Sequence, residues 1–148
     1  MHIALYKPDI PQNTAAIIRL SACLNLNVHI IEPCGFDLND SRFKRVVMDY
    51  MDHNQIEFYQ SSDKFFEAKK NQRIVLMTTK GSISYTKFKF NSDDTILFGR
   101  ESAGVPESIH QLIENRLKIP MNNNFRSLNI ASSVAIVLAE SLRQTEII

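Results

Sequence analysis

Three stretches of this sequence hold polar residues whose types and spacing suit chemistry. The first is Pro11-Gln-Asn-Thr-Ala-Ala-Ile-Ile-Arg19. Asn13 stands where a helix is predicted to begin, and Arg19 follows almost two turns later. A lone guanidinium on an otherwise apolar helix requires a carboxylate or a phosphate, so a structural ion pair and a ligand phosphate both fit. The second is Phe98-Gly-Arg-Glu-Ser-Ala-Gly-Val-Pro-Glu107. Gly99 and Gly104 flank Glu101 and let main chain approach a ligand closely, although a plain turn fits too. It lacks the Gly-Lys-Ser/Thr ending of a P-loop, and no GxGxxG occurs anywhere, so nucleoside triphosphate or dinucleotide binding is unsupported. The third runs from Ile119 to Asn129, with three consecutive asparagines, Arg126 and Ser127 between a short strand and an apolar helix. Ser127 and Asn129 flank Leu128 at the start of that helix, where a helix cap and a ligand site both fit.

These stretches need elements to hold them. Strands are predicted at His2–Tyr6, Val28–Ile31, Ile56–Tyr59, Arg73–Met77, Thr95–Phe98 and Arg116–Ile119. Helices are predicted at Thr14–Leu26, Asp40–Met51, Ser62–Lys70, Pro106–Asn115 and about Asn129–Gln144. Pro8 and Pro11 are expected to exclude helix before Asn13, with Asn13 or Thr14 as the cap. Ser82 to Ser92 reads as an irregular loop with a short helical turn. Strands alternating with helices at this spacing imply an α/β fold: one domain over 1–148, with a mostly parallel six-stranded sheet covered on both faces. Loops after the carboxyl ends of parallel strands share one edge, so the three polar stretches can converge.

The first and last helices are apolar nearly all round. Ala15, Ala16, Ile17, Ile18, Leu20, Ala22, Cys23 and Leu24 crowd one; Ile130, Ala131, Val134, Ala135, Ile136, Val137, Leu138, Ala139 and Leu142 crowd the other. Such helices need cover on two sides, from a shared homodimer seam or from burial within one chain.

The composition is that of an ordinary globular protein: 148 residues, 44% hydrophobic, 22% charged, net charge +1. A nucleic-acid partner cannot be argued from total charge. Residues 64–89, however, hold seven basic side chains (Lys64, Lys69, Lys70, Arg73, Lys80, Lys87, Lys89) against Glu67 alone; a solvated face and an RNA-facing patch both fit. Cys23 and Cys34 make no disulfide framework, and Cys23 is expected to be a buried free thiol. His2, His29, His53 and His110 are scattered, and no Cys/His cluster has metal-ligand spacing, so no metal is expected. No amino-terminal signal pattern or apolar run of ~18 residues occurs. No membrane association is expected, and a reducing cytoplasm is the expected location.

Quoted together, the three stretches resemble the motifs of the SPOUT superfamily of knotted methyltransferases. They read Pro-Gln-Asn13-Thr-x-x-Ile-x-Arg19, then Leu-Phe-Gly99-Arg-Glu101-Ser-Ala-Gly104-Val-Pro-Glu, then Ile-Pro-Met121…Arg-Ser127-Leu-Asn129. The best match is the small single-domain branch that methylates the 2′-hydroxyl of the tRNA wobble cytidine or uridine. The resemblance implies a deep carboxyl-terminal trefoil knot, which pattern reasoning would never propose. It implies S-adenosyl-L-methionine as cofactor, held at Thr78, Gly99, Glu101, Ile119, Met121, Ser127 and Leu128. It implies Asn13, Arg19, Glu101, Ser127 and Asn129 as the catalytic set, the anticodon arm of tRNA as partner, and a homodimer through the first and last helices.

The sequence departs from that branch at Ala15-Ala16, where Gly-Asn is usual, at Ser132, where Asn is usual, and at Ala139, where Tyr is usual. Three other readings remain: a catalytically silent RNA-binding module on the same fold, 2′-O-methylation of another tRNA or rRNA site, and a flavodoxin-like small-molecule binder. Methyl transfer into tRNA separates the first from an enzyme, and flavin colour would mark the last.

Overall fold

The computed structural model describes residues 1–51 and 56–146; His53 lies outside them. The strands are β1 (His2–Tyr6), β2 (Asn27–Ile31), β3 (Ile56–Tyr59), β4 (Ile74–Met77), β5 (Ile83–Ser84), β6 (Thr95–Phe98) and β7 (Asn115–Lys118). The helices are α1 (Pro11–Cys23), α2 (Ser41–Met51), α3 (Ser62–Ala68), α4 (Glu107–Leu112) and α5 (Ile130–Gln144), with a 3-10 turn at Tyr85–Lys87. All strand pairings are parallel, in the order β3-β2-β1-β6-β4-β7-β5. The sheet thus has seven strands rather than the expected six. The extra strand pairs Ile83 with Leu117 and Ser84 with Lys118. Two residues in a polar stretch carry no alternation, so only the β7 edge beside them makes them a strand.

Strands buried on both faces read as continuous apolar runs, and β1, β4 and β6 do. On one face, Ile17 and Ile18 of α1, Phe43 of α2 and Val134, Val137, Leu138 and Leu142 of α5 pack against Ile3, Leu5, Val75 and Ile96. On the other, Phe65 of α3 and Ile109 of α4 pack against Ala4, Leu76 and Leu97.

Several boundaries differ from expectation. Helix α1 begins at Pro11 with Ile10 as N-cap, and no side chain caps it. A proline in the first turn costs nothing, because its missing N–H would have no helical partner anyway. Asn13 is therefore inside the helix and free for other contacts. Asn115 belongs to β7 and not to α4, which stops at Leu112.

The cover on α1 and α5 is one-sided. Gln12, Ala16, Arg19 and Cys23 form an exposed stripe on α1, so Cys23 is an exposed thiol, contrary to expectation. On α5 the exposed stripe is Ser132, Ala135, Ile136, Ala139 and Arg143. Among the described residues, no helix is long and apolar enough to cross a membrane.

Candidate active site

A cavity of about 470 Å³ opens at the carboxyl ends of the adjacent strands β6, β4 and β7, a size suited to a small ligand. Strand β4 delivers Met77 and Thr78–Lys80, β6 delivers Phe98 and Gly99–Val105, and β7 delivers Ile119, Met121 and Arg126–Ile130. Ile10 and Asn13 close the side next to α1. Ile119 and Met121 are half-buried, whereas Leu128 is 41% exposed at the mouth.

The loop after β6 is closed on itself. Arg100 and Gly104 form an antiparallel bridge, with N–H to O distances of 3.1 and 2.8 Å. A β-carbon on Gly99 would stand 2.7 Å from the Gly104 backbone, and Gly104 has φ +65°. Both glycines thus serve the loop's own geometry: one for a close approach, the other for a left-handed turn. Both also line the cavity, so the turn and a close main-chain approach to a ligand are compatible.

A chain of hydrogen bonds links the three motif loops. The Asn129 Oδ1 caps α5 by accepting from the Ala131 and Ser132 amides at 2.9 and 3.2 Å. Its Nδ2 must then face outward, and it donates to Asn13 Oδ1 at 3.0 Å. That in turn directs Asn13 Nδ2 to Glu101 Oε1 at 3.3 Å. Each amide orientation follows from its neighbour. Asn129 is therefore both a cap and a member of the cluster.

Asp9, which sequence reading passed over, completes the arrangement. Its main-chain N–H donates to Glu101 Oε2 at 2.8 Å. Its carboxylate accepts from Arg100 Nε at 3.1 Å, from the Arg100 terminal nitrogen, and from Ser102 through N–H at 3.0 Å and Oγ at 2.6 Å. The Arg100 guanidinium holds the Asp9 carboxyl far below the usual carboxylate range. The residues on both sides of Glu101 are thereby clamped to the segment leading into α1. Nothing in local spacing signals a pair more than ninety positions apart.

His110 is a second residue that the spacing did not reveal. It is buried on α4, lines the cavity, and lies 3.4 Å from Thr78 Oγ1. Thr78 Oγ1 also accepts from the Lys80 amide at 3.2 Å.

Of the positions singled out from sequence, Asn13, Thr78, Gly99, Glu101, Ile119, Met121, Ser127, Leu128 and Asn129 all line this one cavity. Arg19 does not. It lies on the exposed stripe of α1 and is not among the residues that line the cavity.

The SpoU rRNA Methylase family model matches residues 1–139. The chain belongs to this family. Among its curated relatives in the SpoU family, the tRNA (cytidine(34)-2′-O)-methyltransferase of Ancylobacter novellus is 46% identical over 145 residues, covering 97% of this chain and 92% of the relative. A solved structure described as "Structural insights into the 2-OH methylation of C/U34 on tRNA" aligns with TM-score 0.90 and 37% identity, covering 97% of this chain and 94% of its own. The methyltransferase AviRb from Streptomyces viridochromogenes, in complex with AdoMet, shares the fold: TM-score 0.83 at 24% identity, covering 97% of this chain and 60% of its own.

Proposed function

We propose that this SpoU methylase is a single-domain, S-adenosyl-L-methionine-dependent tRNA 2′-O-methyltransferase acting on the ribose of the wobble cytidine or uridine. The observation that carries the reading is the convergence of the three motif loops on one cavity, with Glu101, Asn13 and Asn129 joined at its mouth. The relatives at 37–46% identity that span nearly the whole chain are named for that reaction.

The lining suits the cofactor. Ile119, Met121 and Leu128 provide apolar walls, and the loops at Thr78 and Gly99 bring main-chain donors and acceptors, a combination that suits an adenine ring. Thr78, Gly99, Glu101, Ile119, Met121, Ser127 and Leu128 would hold it. When bound, S-adenosylmethionine supplies a methyl group activated by sulfonium.

The remainder is positioning. Methyl transfer to a hydroxyl is an in-line displacement, so orienting the attacking oxygen supplies much of the rate. Glu101, fixed by Asp9 and Asn13, has its carboxylate immobilised before substrate arrives. Ser127 and Asn129 line the same cavity and would orient the ribose. Arg19 anchors the target phosphate and polarises the hydroxyl, as a guanidinium fork suits a phosphate.

Arg19 does not line the cavity of its own chain, and in this reading a second copy of the chain brings it to a site. The exposed stripes of α1 and α5 provide the seam. They hold small residues, Ala16, Ala135 and Ala139, around Ile136, and small side chains allow helices to pack closely. In a homodimer through these helices, Arg19 of one protomer would serve the cavity of its partner. Ala139 removes the aromatic usual in the branch and leaves the seam flatter. The trefoil knot belongs to the same reading. Strand β7 lies between β4 and β5, both earlier in the chain, as insertion of a late segment through an earlier loop requires.

Incubation with tRNA and methyl-labelled cofactor tests the proposal. Wild-type protein is expected to incorporate label and Glu101→Gln to lose most of it. Tight tRNA binding without incorporation would favour the silent RNA-binding module.

A further inference from the structure

Two segments that share the β4-β7-β5 edge of the sheet contain no acidic residue at all: residues 68–92 and residues 115–139. Part of their positive charge is committed within the fold. Arg73 is paired with Asp94, Arg116 donates to the His110 carbonyl, and Lys69 is buried. Lys80, Lys118 and Arg126 are exposed. Lys80 and Arg126 line the cavity, and Lys118 ends β7 one residue before Ile119. These cations stand on two acid-free segments beside the cavity and attract a polyanion to that side of it.

Phe125 stands on the second of these segments and is 72% exposed. The turn that carries it is fixed: the Asn124 amide donates to Asn122 Oδ1 and the Phe125 amide to the Asn122 carbonyl, both at 3.1 Å. A phenyl ring this exposed contributes nothing to the core. Placed beside Arg126 and next to asparagine amides, it has the chemistry by which proteins hold unpaired RNA: a stacking ring, base-edge donors and acceptors, and a cation for the phosphate.

We propose that Phe125 stacks on an unpaired base of the RNA substrate next to the nucleotide in the cavity, while Arg126, Lys80 and Lys118 bind the adjoining phosphates. The proposal rests on the RNA-methylating function argued above and names how that site grips its substrate. An exposed loop ring is suited to an anticodon loop because the bases there are single-stranded and have free faces. A second copy of the chain covering Phe125 is the rival occupant.

The test is steady-state methylation of tRNA by wild type, Phe125→Ala, Phe125→Leu and Phe125→Trp, with binding of a short single-stranded oligoribonucleotide to each. Light scattering reports the oligomeric state, and calorimetry reports affinity for the cofactor. Phe125→Ala is expected to raise KM for tRNA and weaken oligonucleotide binding about 5- to 100-fold, the span of one lost base–ring stack. Phe125→Trp restores both and Phe125→Leu restores neither, with cofactor affinity and oligomeric state unchanged. Equal performance of Leu and Trp, or an altered oligomeric state or cofactor affinity in Phe125→Ala, would overturn it. Wild type that binds the oligonucleotide through Phe125 but transfers no methyl group would instead overturn the proposed function and leave the stacking site standing. No binding to either RNA would remove both.

Discussion

At the scale of single residues, the central group is Glu101, whose carboxylate oxygens are held by the Asp9 N–H and the Asn13 amide. Glu101→Ala is expected to lower kcat about 100-fold, as loss of an orienting group at a displacement centre does; labelled-methyl incorporation reads it. Asn129→Ala breaks two things together. Loss of the cap costs about 1 kcal/mol of stability, visible in denaturant unfolding, and loss of the amide frees Asn13 to turn away from Glu101, visible in kcat. Asn129→Asp keeps the cap but replaces a donor with an acceptor facing Asn13 Oδ1, so it should retain stability and lose activity. The types of these residues were legible in the sequence, and their partnership was not. Asn13 reads as a cap because asparagines near helix starts usually are caps; Pro11 in the first turn and Ile10 as N-cap displace it from that role. Asp9 and Arg100 find each other only across the sheet edge, and sequence spacing holds no record of that.

At the scale of elements, α1 and α5 carry more apolar surface than the sheet covers. The proposed seam predicts that Ile136→Asp yields a monomer by light scattering. That monomer should keep its fold, because the side chain faces outward, and should lose methylation. If Arg19 serves the partner's cavity, mixed protomers of Arg19→Ala and Glu101→Ala should recover part of the activity that neither variant has alone, because one of the two sites in a mixed dimer is intact. Failure to complement in mixed dimers would contradict a role for Arg19 at the partner's cavity. Strands with continuous apolar runs, such as Ile74–Met77 and Thr95–Phe98, were legible because burial on both faces leaves that mark. The Ile83–Ser84 strand was not, since only the neighbouring β7 edge makes it a strand. Cys23 was misread because an apolar helical pattern does not say which of its faces a partner covers.

At the scale of the whole molecule, the alternation of strands and helices marked an α/β parallel sheet, whereas strand order depends on contacts far apart in sequence. The sheet also buries His29, packed by Phe65 and Tyr59 and 3.0 Å from Glu57. Burial, with repulsion from Lys69, drives its imidazole down to about 4, against an opposing pull from Glu57. An unfolded histidine titrates near ~6.5. Between those values the unfolded chain binds a proton that the folded chain refuses, so stability must fall as pH drops from about 6.5 to about 4. The loss is on the order of 3 kcal/mol at roughly 1.36 kcal/mol per unit. Thermal unfolding across that range should show it, and His29→Gln should flatten the dependence.

The proposed function is one reaction at one nucleotide. Mass spectrometry of anticodon-loop fragments of tRNA, from cells with and without this protein, measures it directly. A 2′-O-methylated cytidine or uridine at the wobble position is expected to disappear without the protein and to return with wild type but not with Glu101→Ala. An unchanged wobble ribose, or loss of methylation at another site alone, would contradict the proposed function.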